Sequence, residues 1–108
     1  MVSEPLYMRK GDLRPPVQGS LKWENGTAVD LTGCSVTFTM IDENGTKKVN
    51  AVSASIVGSP TDGKVKYEWS GTDTDTAGAY SAYFTVTFAD AKTQKFPSKG
   101  EYMIYIGD

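Results

Sequence analysis

From Gly78 to Phe88 the chain alternates, and that run constrains the fold more than any other stretch. Tyr80, Ala82, Phe84, Val86 and Phe88 share one parity. Ala79, Ser81, Tyr83, Thr85 and Thr87 share the other. Side chains on a strand point alternately to opposite faces, so this is a strand with one apolar face and one mostly polar face. An apolar sheet face must be covered by a second layer. The rest of the chain must supply that cover, and its turns and short alternating runs read as further strands.

The preceding stretch, Thr72-Asp73-Thr74-Asp75-Thr76-Ala77, is a polar turn. Upstream, Cys34 to Ile41 alternates cleanly, with Val36, Phe38 and Met40 facing one way. In Lys64 to Trp69, Val65, Tyr67 and Trp69 go in while Lys64, Lys66 and Glu68 go out. Val17 to Glu24 alternates loosely, with Val17, Leu21 and Trp23 on one parity. Lys47 to Val57 gives one or two weaker strands whose small, polar residues fit a sheet edge. After the Asp90-Ala91-Lys92 turn come a short strand, Thr93 to Pro97, a Ser98-Lys99-Gly100 kink and a last strand, Glu101 to Ile106. Asn25-Gly26 and Asn44-Gly45 are tight-turn signals, because both residue types accept positive φ.

The sum is about seven to nine strands at a spacing of roughly ten residues, with no helical period. This predicts an all-β fold, an immunoglobulin-like antiparallel β-sandwich, with a small closed barrel as the alternative. The 108 residues suffice for a single packed domain. Residues 1–16 read as an N-terminal arm or edge strand, since Leu6, Tyr7, Met8 and Leu13 give it apolar surface to bury. Residues 17–108 read as the sandwich. Gly78-Ala79-Tyr80 after Asp75 resembles the tyrosine corner of such sandwiches, in which the hydroxyl bonds back to upstream backbone. Asp75, Gly78 and Tyr80 are therefore the expected structural corner, and Trp69 a large buried anchor.

Several chemistries are excluded or disfavoured. With no histidine, Ser–His or Cys–His nucleophilic catalysis and Cys/His zinc sites fall away. No glycine-rich phosphate motif leads from a strand into a helix. Asp73 and Asp75 could offer oxygens to calcium, but the loop lacks an EF-hand pattern, and carboxylates in such turns ordinarily bond backbone N–H groups. Nothing fixes a catalytic pair among Asp62, Glu68, Asp73 and Asp75. Cys34, the single cysteine, reads as a small core hydrophobe. The expectation is a protein that is not an enzyme and takes no cofactor or metal. A net charge of −2, with no run of one sign, gives no footprint for nucleic acid. No apolar stretch is long enough for a membrane helix, and Met1 to Lys10 has no apolar signal core. Tyr83 and Tyr105 sit on the outward parities of their strands, where tyrosine can fill a protein interface or stack on a sugar.

An ordered set of segments resembles the N-terminal domain family of siphophage baseplate upper proteins. It comprises Arg9-Lys10-Gly11-Asp12, Pro15-Pro16, Leu21, Val29-Asp30-Leu31-Thr32-Gly33, and Val36-x-Phe38-x-Met40. It continues through Gly63-Lys64-Val65-x-Tyr67-x-Trp69 and Asp73-Thr74-x-x-Ala77-Gly78-x-Tyr80-x-Ala82-x-Phe84-x-Val86 to Phe96-Pro97. The resemblance implies a bacteriophage virion protein of the tail or baseplate that binds other virion proteins and is oligomeric in the assembled particle. It implies no catalytic residues. The expected contacts are Tyr7, Met8, Arg9, Tyr83 and Tyr105, acting by burial of the arm and strand addition at exposed sheet edges. A capsid decoration protein and a carbohydrate-binding module for host surface glycan are the alternatives.

Overall fold

The computed structural model describes residues 5–96 and 102–108, so the expected Ser98-Lys99-Gly100 kink lies outside the described residues. Nine strands are formed among them: β1 (Leu6–Arg9), β2 (Val17–Ser20), β3 (Ser35–Ile41), β4 (Lys47–Ser53), β5 (Ser55–Ile56), β6 (Lys64–Tyr67), β7 (Gly78–Thr87), β8 (Thr93–Phe96) and β9 (Tyr102–Gly107). A single 3-10 turn, Pro60–Asp62, precedes β6. The larger sheet runs β1-β9-β7-β3-β4, with β8 also paired to β7, and the smaller runs β2-β6-β5.

The long alternating strand is the centre of the larger sheet. On one side, β7 pairs with β3 along seven residues, from Ser35↔Thr87 to Ile41↔Ser81. On the other side its length is shared. Gly78 to Ala82 pair with β9, and Phe84 to Thr87 pair with β8. Its burial alternates as the parity requires: Tyr80, Ala82, Phe84 and Val86 are buried, and the residues between them are half-exposed. They meet Leu21, Val65, Tyr67 and Trp69 from the smaller sheet and its flanks, in one core with Phe38, Phe96 and Ile104. Phe38 stacks on Tyr67 with centroids 4.5 Å apart, and Trp69 meets Phe38 edge-on at 6.0 Å. Such aromatic pairs join the two layers beyond what area burial alone supplies. Cys34 is half-buried and packs against this core.

One strand departs from the antiparallel expectation. β1 runs parallel to β9, in the register Leu6↔Ile104 to Arg9↔Gly107, so the larger sheet is mixed. Antiparallel neighbours can be joined by a short hairpin, whereas parallel ones need a long crossover. Here the crossover is the whole sandwich, because β1 and β9 stand near opposite ends of the chain.

The segment after β1 is tied to the loop between β6 and β7. The Gly11 N–H donates to the Thr74 carbonyl at 2.9 Å, and the buried Thr74 hydroxyl donates to the Asp12 carbonyl at 2.8 Å. The Trp69 indole N–H donates to the Pro15 carbonyl at 2.9 Å. The same loop carries the corner. The Tyr80 hydroxyl donates to the Thr76 carbonyl at 2.7 Å, and Gly78 enters the strand with a φ of 155°, which L-residues rarely adopt.

Candidate functional site

Where β1 lies beside β9, register places Tyr7 opposite Tyr105 on the outer face of the sheet. The rings stack, with centroids 5.3 Å apart and planes 19° from parallel. Tyr7 is 72% exposed, the most exposed of the large hydrophobic side chains. A shallow cleft of about 720 Å³ adjoins the pair, lined by Tyr7, Arg9, Asp12, Gly78, Tyr105 and Asp108 among others. The Arg9 guanidinium donates to the Asp108 main-chain oxygen at 3.0 Å, and the Lys10 ammonium stands 3.8 Å from the Asp108 carboxylate. The patch is thus an aromatic pair beside a small cluster of both charges.

The expected contact residues do not all meet. Tyr83 faces outward and is half-buried, with the Lys95 ammonium 5.0 Å from its ring centroid. Tyr105 pairs with Ala79, four residues along β7 from Tyr83. That offset is about 13 Å at strand rise, so Tyr83 is a separate feature. Met8 is a correction. It is 7% exposed and belongs to the core. Three consecutive strand residues cannot share a face, so once Tyr7 and Arg9 point out, Met8 must point in.

Of the sheet edges at which strand addition is expected, β1 offers little room, because that edge is largely closed. In a parallel ladder alternate residues bond the neighbouring strand, and those between them face away. The Lys10 N–H donates to the Gly107 carbonyl, which places Tyr7 and Arg9 on the outward-facing set. Arg9 is already satisfied: its N–H donates to the Asp12 carboxylate at 3.1 Å, and its carbonyl accepts from the Asp12 N–H at 3.0 Å. Pro5, the preceding residue of that parity, has no N–H to give. Among the described residues of β1, Tyr7 alone has both backbone groups turned outward with no partner. At the opposite end, β4 is irregular against β3, with register shifts between Phe38 and Met40 and between Met40 and Ile41. Ala51 takes a φ of 52° there and donates its N–H to the Thr39 hydroxyl at 3.2 Å. Bulges and charged residues such as Lys47 and Lys48 are how natural sheets discourage edge pairing.

The two aspartates weighed for calcium have structural partners. Asp73 accepts from the Tyr67 hydroxyl at 2.5 Å and from the Ser70 N–H at 3.0 Å. Burial, then the bond to Asp73, pushes the Tyr67 hydroxyl up to about 12. Asp75 pairs with Lys48 at 2.6 Å and accepts from the Thr76 hydroxyl at 2.9 Å. The Lys48 bond holds the Asp75 carboxyl below its ordinary value and raises the Lys48 ammonium in return. Among the described residues no group of acidic or cysteine side chains is placed to hold a metal ion, and no helix is long and apolar enough to cross a membrane.

Trp23 shares a parity with the buried Val17 and Leu21, yet it stands at the margin of the core, 37% exposed. The signal was present two residues later. Asn25-Gly26 ends the hairpin, with the Gly26 N–H bonded to the Trp23 carbonyl at 2.8 Å, so Trp23 stands at the end of the sandwich, where Phe88 and Phe96 cover it only in part.

Among the described residues the chain is a nine-stranded, all-β sandwich of two sheets, with an exposed aromatic pair on the outer face of the larger one. The chain is a member of the BppU N-terminal domain family, whose model matches residues 20–100, and so belongs to a family of phage baseplate structural domains. Among solved structures, CopC from Methylosinus trichosporium OB3b aligns with a TM-score of 0.51 at 15% identity, over 97% of this chain and 85% of that one. Likeness at that identity concerns the fold alone. No curated protein sequence matches the chain.

Proposed function

We propose that this chain is a non-enzymatic attachment module of a phage tail or baseplate that holds neighbouring virion proteins through the outer face of its larger sheet. Membership of the baseplate family supports the setting. The observation that carries the docking surface is the Tyr7–Tyr105 stack, with Tyr7 72% exposed on a strand whose backbone edge is mostly taken. A rigid, amphipathic aromatic pair is the residue chemistry that anchors protein interfaces, and the charges of Arg9, Lys10, Asp12 and Asp108 around it form a polar rim. Side chains on a sheet face would do the binding, and β1 would contribute at most the single free backbone pair of Tyr7.

Immunogold electron microscopy on purified particles, with antibody raised to this domain, tests the setting. Label at the tail tip is the expected result. Label over the capsid would move the module to decoration, and particles bearing no label would overturn the virion reading.

A further inference from the structure

Trp23 lies apart from the Tyr7–Tyr105 patch. Its indole stacks on Phe88, with centroids 6.1 Å apart and planes 15° from parallel, and meets Phe96 edge-on at 5.6 Å. Two aromatic contacts brace the ring, and the residue as a whole stays 37% exposed. A cleft of about 710 Å³ opens beside it, lined by Trp23, Glu24, Asn25, Gln94 and Lys95. That volume is in the range of small-molecule sites.

We propose that this cleft is a saccharide-binding subsite. A pyranose ring lays its C–H face on Trp23, and the side chains of Glu24, Asn25 and Gln94 bond its hydroxyls; the Lys95 side chain lies on the other face of β8, over the Tyr83 ring. Each sugar hydroxyl is both donor and acceptor, and an amide side chain is the group that offers both. The Asn25 carbonyl oxygen already accepts from the Thr27 N–H at 3.0 Å, which orients the side chain and leaves its amide N–H groups to donate. Gln94 stands half-buried on β8 and supplies the second amide. The Glu24 carboxylate accepts from hydroxyls. Other ligand classes fit less well. An anion would face the Glu24 carboxylate. A peptide would want apolar pockets for successive side chains, and this lining holds one aromatic among four polar groups. A ring with one apolar face and a hydroxylated edge matches one indole and a polar rim. The proposal stands apart from the baseplate reading, since none of these residues lies in the Tyr7–Tyr105 patch.

The test is a titration of isotope-labelled full chain, followed by amide and indole N–H shifts in NMR. The probes are glucose, galactose, rhamnose, N-acetylglucosamine and their short oligomers. The expected result is saturable shifts confined to Trp23, Glu24, Asn25 and Gln94, with a Kd on the order of 1 mM for the best monosaccharide. Glu24→Ala and Gln94→Ala alter side chains at the protein surface and should leave the spectrum folded. Each should weaken binding about fivefold, the value of one hydrogen bond. Trp23→Ala should abolish it. Should that variant unfold, the Glu24→Ala and Gln94→Ala affinities decide alone. Absence of saturable shifts with every probe, or shifts that survive both of those changes, would overturn the proposal. So would protection of Trp23 in assembled particles without any response to sugar, which would make the cleft a protein contact.

Discussion

Gly63 ends the 3-10 turn with a φ of 67°, a left-handed conformation that glycine adopts freely and L-residues resist. Space forbids a side chain as firmly as the backbone angle does. A Cβ there would lie 2.7 Å from the Leu21 carbonyl oxygen and 3.0 Å from the Val29 nitrogen, both of them main-chain atoms. Those atoms are committed to each other and to Gly63, through Val29 N–H to Leu21 carbonyl at 2.9 Å and Leu21 N–H to Gly63 carbonyl at 2.7 Å. Gly63→Ala should therefore cost at least about 2 kcal/mol, read as a lowered urea midpoint with an unchanged slope. The Lys48–Asp75 pair makes a second prediction, in pH. The Asp75 carboxyl is lowered in the fold, so its contribution is present above the ordinary value of 3.8 and is lost as pH falls through the lowered one. The Lys48 ammonium is raised, so its contribution is present below the ordinary 10.5 and is lost as pH rises through the raised value. In Asp75→Asn the urea midpoint should fall less steeply than wild type on acidification below 3.8, and the two should differ most at neutral pH. Equal acid slopes would show that the pair contributes nothing measurable, as solvent-exposed pairs often do.

The strand β1 is held by both its neighbours in space and the chain that follows it. Asp12 folds back to occupy the Arg9 backbone, and Thr74 holds the segment by its hydroxyl and carbonyl. Asp12→Ala removes the carboxylate and leaves the Arg9 N–H facing outward beside that of Tyr7, two free donors on one edge. The expected outcome is concentration-dependent association, seen as a rising mass in light scattering, with little change in unfolding midpoint because the lost bond is exposed. A variant that stays at one mass would mean that Pro5 and the shortness of β1 are guard enough. Much of this architecture was readable from the residues. Alternation in β7 named its buried side chains correctly, because a period of two follows from the pleat and needs no partner. The pairing of β1 with β9 was not readable, since parity says which face a side chain takes and nothing of which strand lies alongside. The sharing of one flank of β7 by β8 and β9 escaped for the same reason. Of the surface residues, Tyr105 was found by parity, whereas its stacking on Tyr7 depends on the long-range register that parity cannot supply.

Removing residues 1–12 to test assembly would confuse two effects in the folded molecule. β1 is a strand of the larger sheet, its Met8 is core, and the residues just after it bond the Thr74 loop. Deletion would expose the β9 edge and open the core, so a failure to assemble would say nothing about docking. Point changes on the outer face separate fold from function. Tyr7 is 72% exposed and makes its aromatic contact with Tyr105 alone. Tyr7→Ser with Tyr105→Ser should cost about 1 kcal/mol, the stack together with some lost strand preference. That lowers the melting temperature by a few degrees at this size and leaves the core intact. In the particle the loss should be larger. Truncating a central aromatic anchor of an interface costs on the order of 2 kcal/mol or more, which is about thirtyfold in affinity. Particles grown with the double variant should then carry much less of this protein, measured by quantitative mass spectrometry against the other tail components, while the free protein stays folded. Wild-type incorporation would move the docking surface elsewhere on the sandwich, with the separate Tyr83–Lys95 feature next to be changed. Loss of folding together with loss of incorporation would instead show that the stack braces the parallel β1–β9 pair, and Tyr105→Phe with Tyr7→Phe, which keeps the stack and removes both hydroxyls, would then report on binding alone.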